Sequence, residues 1–257
     1  MDVLASLRVV DIDQICFHEA HEEARLLHTC QLIQDEGVLR HTPLASQLSD
    51  GRYLILDGAH RTLALKKLQC SRAVVQMVHL DNCHLGAWNH LLPVGEWMSQ
   101  LKNHAALYWS KESENQYGAP LAEFIEHDGN TSFVYSKAGD EKLTRLKDWH
   151  SIVDSYNNSF PVKRLPQDNG LQLPLLGEVL LRFPCYSLQQ LEEIALAGHI
   201  MPAGVTRCMV EGRLLNLRIP LEFLTSQVFQ QDEWNELLSR WKKSLRLYSE
   251  AVYLCEV

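Results

Sequence analysis

The chain has 257 residues, 46% of them hydrophobic and 22% charged, which is the composition of a soluble globular protein and not of a disordered or fibrous one. Its 24 Lys and Arg against 32 Asp and Glu leave a formal net charge of -8, and that argues against non-specific DNA binding, which draws its affinity from neutralising phosphates. No apolar run approaches the roughly 20 residues of a membrane span, and Met1-Asp2-Val3 has no signal-peptide character, so a cytoplasmic protein without a membrane partner is expected. Seven cysteines (Cys16, Cys30, Cys70, Cys83, Cys185, Cys208, Cys255) lie scattered without a C-x-x-C pair, which excludes a disulfide framework or zinc knuckle by pattern and leaves small buried apolar residues.

The predicted elements begin with a half-buried strand over 7–15, followed by a helix over 21–36 that stops at Gly37. A hairpin follows: Pro43 to Gln47, a Ser49-Asp50-Gly51 turn, then Tyr53 to Leu56. After Asp57-Gly58-Ala59-His60-Arg61, residues 62–68 read as a helix and 73–78 as a strand. A helix is predicted from Asp81 to about Leu101, carrying Trp88 and Trp97 and interrupted near Pro93 and Gly95. The stretch from 104 to 170 is polar and rich in turn formers around short aromatic segments such as Phe133-Val134-Tyr135. Ser187 with Gln190 forms a capping box for a helix that Gly198 closes. A hairpin of 205–210 with 214–219, a helix over 231–245 and a last strand over 251–256 complete the reading.

Asp57-Gly58-Ala59-His60-Arg61 is the most informative stretch. A strand that ends in Asp-Gly and opens a helix presents free amides, a ready anion site. Gly58 lets the backbone approach a phosphate, His60 adds a switchable donor, Arg61 adds a fixed bidentate cation, and Asp57 suits a magnesium ion or a hydroxyl. The alternative is a plain turn whose Asp caps the helix and whose Arg meets solvent. Glu19, taken alone, reads as an acid favoured by a helix dipole. His18, His21 and His28 do not share one helical turn, so no metal site is expected. Neither a G-x-x-x-x-G-K-[ST] loop nor an H-R-D or D-F-G set occurs, which excludes the P-loop and protein-kinase routes to phosphoryl transfer.

The D-G-x-H-R segment behind Tyr53-Leu54-Ile55-Leu56 resembles that of the ParB/sulfiredoxin-like fold, and within it the chain is similar to the free L-serine kinases. Agreement extends to Phe17-His18-Glu19, Arg40-His41-Thr42-Pro43, Trp88-Asn89-His90 and Met201-Pro202-Ala203-Gly204-Val205-Thr206-Arg207, from about Leu7 to Val252-Tyr253-Leu254. Ala59 departs from the archaeal members, which carry a second histidine there. The resemblance implies an α+β protein: a ParB/sulfiredoxin-like nucleotide-binding domain over 1–102 and a C-terminal α/β domain over 103–257 that closes the serine site. It implies transfer of phosphate from ATP or ADP, with Mg2+, to free L-serine. The product, O-phospho-L-serine, would feed cysteine or, through diaminopropionate, siderophore synthesis. Glu19 and Asp57 become the catalytic residues, with Glu19 as general base, since serine phosphorylation needs a carboxylate within hydrogen-bond reach of the hydroxyl. Gly58, Ala59, His60 and Arg61 would hold the nucleotide, and Trp88, Thr206 and Arg207 the serine. The rivals are a ParB-like DNA-binding regulator, which would show a basic surface and a helix-turn-helix, and a sulfiredoxin-type reductase, which needs a cysteine where Ala59-His60 stands.

Overall fold

The computed structural model describes residues 3–78, 83–114, 116–139, 141–157, 159–167, 170 and 172–248. The first predicted strand is split: β1 (Leu7–Asp11) and β2 (Ile15–Phe17) flank a short 3-10 turn, because the Asp11 carboxylate accepts the Asp13 N–H at 2.9 Å and bends the chain. Helix α1 (Glu23–Glu36) buries Leu26, Cys30 and Ile33, one face at helical spacing, and ends at Gly37 as expected. After β3 (Val38–Leu39), β4 (Leu44–Gln47) and β5 (Tyr53–Asp57) form the predicted antiparallel pair, and α2 (Ala59–Lys67) leads to β6 (Arg72–Met77). These strands make a mixed five-stranded sheet in the order β1-β6-β4-β5-β2.

The second half of the predicted helix exists as α3 (Glu96–Lys102), but the first half is strand β7 (Cys83–Pro93). A short apolar run is ambiguous between helix and strand, and buried Asn89 and His90 hide the alternation. Then come β8 (Leu107–Ser110), β9 (Ala122–Glu126), β10 (Thr131–Ser136), α4 (Lys142–Asn157), β11 (Lys163–Pro166) and β12 (Glu178–Arg182). The polar middle of the sequence therefore supplies most of a seven-stranded sheet, with six strands in the order β11-β7-β12-β9-β10-β8 and a seventh off this path, paired with β7. Helix α5 (Leu188–Leu196) has the full capping box. Strand β13 (Thr206–Val210) pairs with β7 instead of forming the predicted hairpin. Residues 214–218 are not a strand: Asn216 and Arg218 have positive φ, and the chain is bent to bury Leu214 and Leu217. β14 (Ile219–Pro220) joins β3, and α6 (Leu221–Thr225) and α7 (Gln231–Ser244) close the described chain; the last predicted strand lies outside the described residues.

Two cores result. One holds Leu26, Ile33, Ile55, Leu65 and Val74 with Phe223, Leu237 and Trp241; the other holds Trp97, Phe124, Trp149, Tyr156, Val179 and Leu191. β7 and α3 contribute to the second core, and α7 packs on the first. Along β5, Leu54 and Leu56 face one core and Ile55 the other, the period-2 signature of a strand buried on both faces. This carries the end of β5 to the seam between the two units, where β13 passes. The six described cysteines are free thiols, with Cys30 and Cys70 buried and Cys185 exposed.

Candidate active site

A cleft of about 600 Å³ opens along that seam, and Glu19, Asp57, Gly58, Ala59, His60, Arg61, Trp88, Thr206 and Arg207 all line it. Sequence positions nearly 190 residues apart thus converge because a parallel bridge joins Glu19 to Met201 and β13 touches β5. Six arginines, Arg25, Arg40, Arg61, Arg164, Arg207 and Arg213, share this lining with Glu19, Glu36 and Asp57. In a chain of net charge -8 such a concentration of guanidinium makes the cleft the natural seat of an anion.

The turn after β5 is built locally. Gly58 is the N-cap of α2 with φ 91°, and no side chain caps the helix, so its first amides are left for a ligand. A Cβ at Gly58 would lie 2.9 Å from Arg61 Nη2 and 3.1 Å from Pro43 Cα, which only glycine avoids. Arg61 Nη2 donates to Asp57 Oδ2 at 2.9 Å, and Arg213 Nη2 donates to the same oxygen at 2.7 Å. Burial alone would raise the Asp57 pKa, but these two guanidiniums prevail and hold the carboxyl below its usual range. His60 Nε2 accepts the Glu22 N–H at 3.1 Å, which leaves Nδ1–H as the ring's donor. Burial, reinforced by Arg25, pushes the His60 pKa down to about 4, so the ring is neutral at pH 7 and not a cation at the turn.

Glu19, by contrast, is held from a distance. Met201 N–H donates to His18 O at 2.7 Å and Ala20 N–H to Met201 O at 2.8 Å, tying the segment after β2 to the one before β13. Glu19 Oε2 then accepts the Gly204 N–H at 3.1 Å, and Oε1 accepts the Thr206 N–H at 2.5 Å and the Thr206 hydroxyl. Thr206 therefore spends both donors on Glu19. Arg207, next in the strand, lays its guanidinium 4.9 Å above the Trp88 ring.

Sequence reasoning missed Arg164, Glu22 and Arg213. Arg164 lies in the polar middle region; its guanidinium covers Gly204, where φ is +71° and no side chain would fit, and it pairs with Glu22 at the start of α1. Burial opposes the ionised Glu22, yet Arg164 keeps its pKa low. Arg213 immediately precedes the bend, in the turn of the predicted hairpin. None of the three carries a local motif, and only their partners reveal them.

No family model matches the chain. The ATP-dependent L-serine kinase SbnI of Staphylococcus aureus is 32% identical over 254 residues, 97% of each chain. The chain belongs to this L-serine kinase family. A solved structure of SbnI with a C-terminal truncation, from the same organism, agrees with a TM-score of 0.81 at 30% identity, over 93% of this chain and 98% of that one. A free serine kinase in complex with ADP shares the fold with a TM-score of 0.68 at 17% identity, over 85% and 94% of the two chains. Mixed α/β architecture is thus common to the L-serine kinase family and this chain. Among the described residues, no helix is long and apolar enough to cross a membrane.

Proposed function

We propose that this chain transfers the terminal phosphate of a nucleotide to free L-serine, giving O-phospho-L-serine, and that the arginine-lined cleft is where it does so. The observation that carries the reading is Glu19, a carboxylate oriented by three donors in the same cleft as an uncapped helix N-terminus. ATP is the donor that the 32% identical relative's name favours. The N-terminal unit is read as a ParB/sulfiredoxin-like nucleotide domain, with the phosphates on Gly58, Ala59, His60 and Arg61. The nucleoside would extend along α1 and β3, where Thr29, Leu32, Val38 and Arg40 continue the cleft.

Serine would lie between Glu19 and the Arg207–Trp88 pair, its carboxylate on Arg207. Glu19 takes the hydroxyl proton as the serine oxygen bonds to phosphorus and the bond to the leaving nucleotide breaks, an in-line displacement. Arg61 and Arg213 face the charge that develops. Mg2+ would be carried on the substrate phosphates, the way it mainly binds, with Asp57, the carboxylate at the phosphate turn, as the side chain that would hold it. When bound it neutralises phosphate charge. The net charge of -8 and the arginines gathered in the cleft favour this reading over a DNA-binding regulator. Incubation of the purified protein with Mg2+, L-serine and ATP or ADP should yield phosphoserine by mass spectrometry; no product with either nucleotide refutes the proposal.

A further inference from the structure

His18 is 3% exposed although its neighbour Glu19 faces the cleft, and both of its ring nitrogens are bonded. Nδ1 lies 2.8 Å from Ile55 O, and because a carbonyl only accepts, Nδ1 carries a proton. Nε2 lies 2.8 Å from Thr206 Oγ1, the same hydroxyl that bonds Glu19 Oε1. A hydroxyl has one proton to donate. With that proton given to an ionised Glu19, Oγ1 accepts from Nε2–H, so the ring, protonated on both nitrogens, donates to Ile55 O on one side and, through the Thr206 hydroxyl, toward the carboxylate on the other. The His18 ring stands 3.9 Å from Glu19 Oε1 itself, too far to bond it directly, so the hydroxyl is the link.

We propose that His18 is a positioning residue for the general base: acting through the Thr206 hydroxyl, it turns that donor onto Glu19 Oε1 and leaves Oε2 to take the serine proton. The inference rests on the reading of Glu19 as base. In the step, the serine O–H bond breaks and an O–H bond forms at Oε2, while the serine oxygen bonds to phosphorus and the bond to the leaving nucleotide breaks. Oε1 stays fixed by Thr206 throughout. The Ile55 carbonyl, in the middle of the same strand that delivers the phosphate turn, sets the ring's orientation, so the base is registered to the nucleotide side by β5.

Thr206→Val removes the hydroxyl while keeping a β-branched strand residue. It should lower kcat on the order of 10- to 100-fold with the KM values for ATP and L-serine little changed, and Thr206→Ser should recover most of the loss. His18→Leu should reproduce the Thr206→Val defect, His18→Gln should restore part of it, and the double variant His18→Leu/Thr206→Val should be no worse than either single one, because the two act as a unit. Additive losses, or a raised serine KM with unchanged kcat in Thr206→Val, would overturn the proposal and return Thr206 to substrate binding. Long-range 1H–15N correlation of the His18 ring provides a readout that needs no turnover. A protonated Nε2 whose resonance moves in Thr206→Val supports the link, and an unprotonated Nε2 that ignores the substitution refutes it. Absence of phosphoserine from the wild type would refute the kinase reading alone, while the ring spectrum would still judge the His18–Thr206 geometry.

Discussion

The phosphate turn and the Glu19 cradle lie in one cleft but are built in opposite ways. The turn is five consecutive residues: a positive-φ glycine, an uncapped helix start, and an Asp57–Arg61 pair four residues apart. The cradle draws on three distant segments, around His18, Ile55 and Thr206, and it is held mainly by backbone N–H groups and by a hydroxyl. A local site tolerates movement elsewhere in the fold, whereas the cradle depends on two sheets keeping their register. Damage to the turn should therefore appear in nucleotide binding, and damage to the cradle in turnover.

Glu19→Gln gives the largest expected effect. Turnover should fall roughly 100-fold or more, the scale of a lost general base, while calorimetry shows nucleotide affinity kept. A near-normal kcat would remove Glu19 from the mechanism. Next comes Arg207→Ala, which deprives the serine carboxylate of its cation and should raise the serine KM by roughly 10- to 100-fold, the equivalent of about 1–3 kcal/mol. Nucleotide affinity should hold; if it collapses instead, Arg207 belongs to the phosphate side. Arg61→Ala should weaken ATP binding by about tenfold, as one charge-assisted contact is lost while Arg213 still pairs with Asp57. Unchanged affinity in a titration would leave Arg61 as a structural partner of Asp57.

The smallest effect is on stability against pH, and each region contributes one histidine to it. His60 in the turn and His90, which accepts from the Tyr156 hydroxyl and donates to Gly204 O behind the cradle, are both depressed to about 4, chiefly by burial. In the unfolded chain they would titrate near 6.5. The unfolded state then binds more protons between those values, so stability is full above about pH 6.5 and declines as pH falls toward 4. Each histidine contributes a limiting slope of about 1.4 kcal/mol per pH unit. Urea unfolding across that window should show uptake of nearly two protons, reduced to nearly one in His60→Gln. A flat profile would mean that the two rings are accessible to protons in the folded protein.

Much of the framework was legible because its signals are local. The α1 stripe ending at Gly37, the hairpin around Asp50-Gly51, the Ser187 capping box and the Asp57–Arg61 turn each follow from contacts within a few residues, and the structure has all of them. Strand β7 was read as a helix because Trp88, Asn89 and His90 are placed by three partner strands, β11, β12 and β13, that no local pattern announces. The bend at Asn216 and Arg218, read as a strand, exists to deliver Leu214 and Leu217 to a core and Arg213 to Asp57. Family likeness pointed to Glu19 and Thr206 without revealing that they bond each other. Sequence alone determined which residues can bend, cap or carry charge, since those properties belong to the side chain and its immediate neighbours. Which carboxylate meets which hydroxyl, and which arginine covers which glycine, was decided only when two sheets packed, because a hydrogen bond extends about 3 Å and its partners here stand more than a hundred residues apart in the chain.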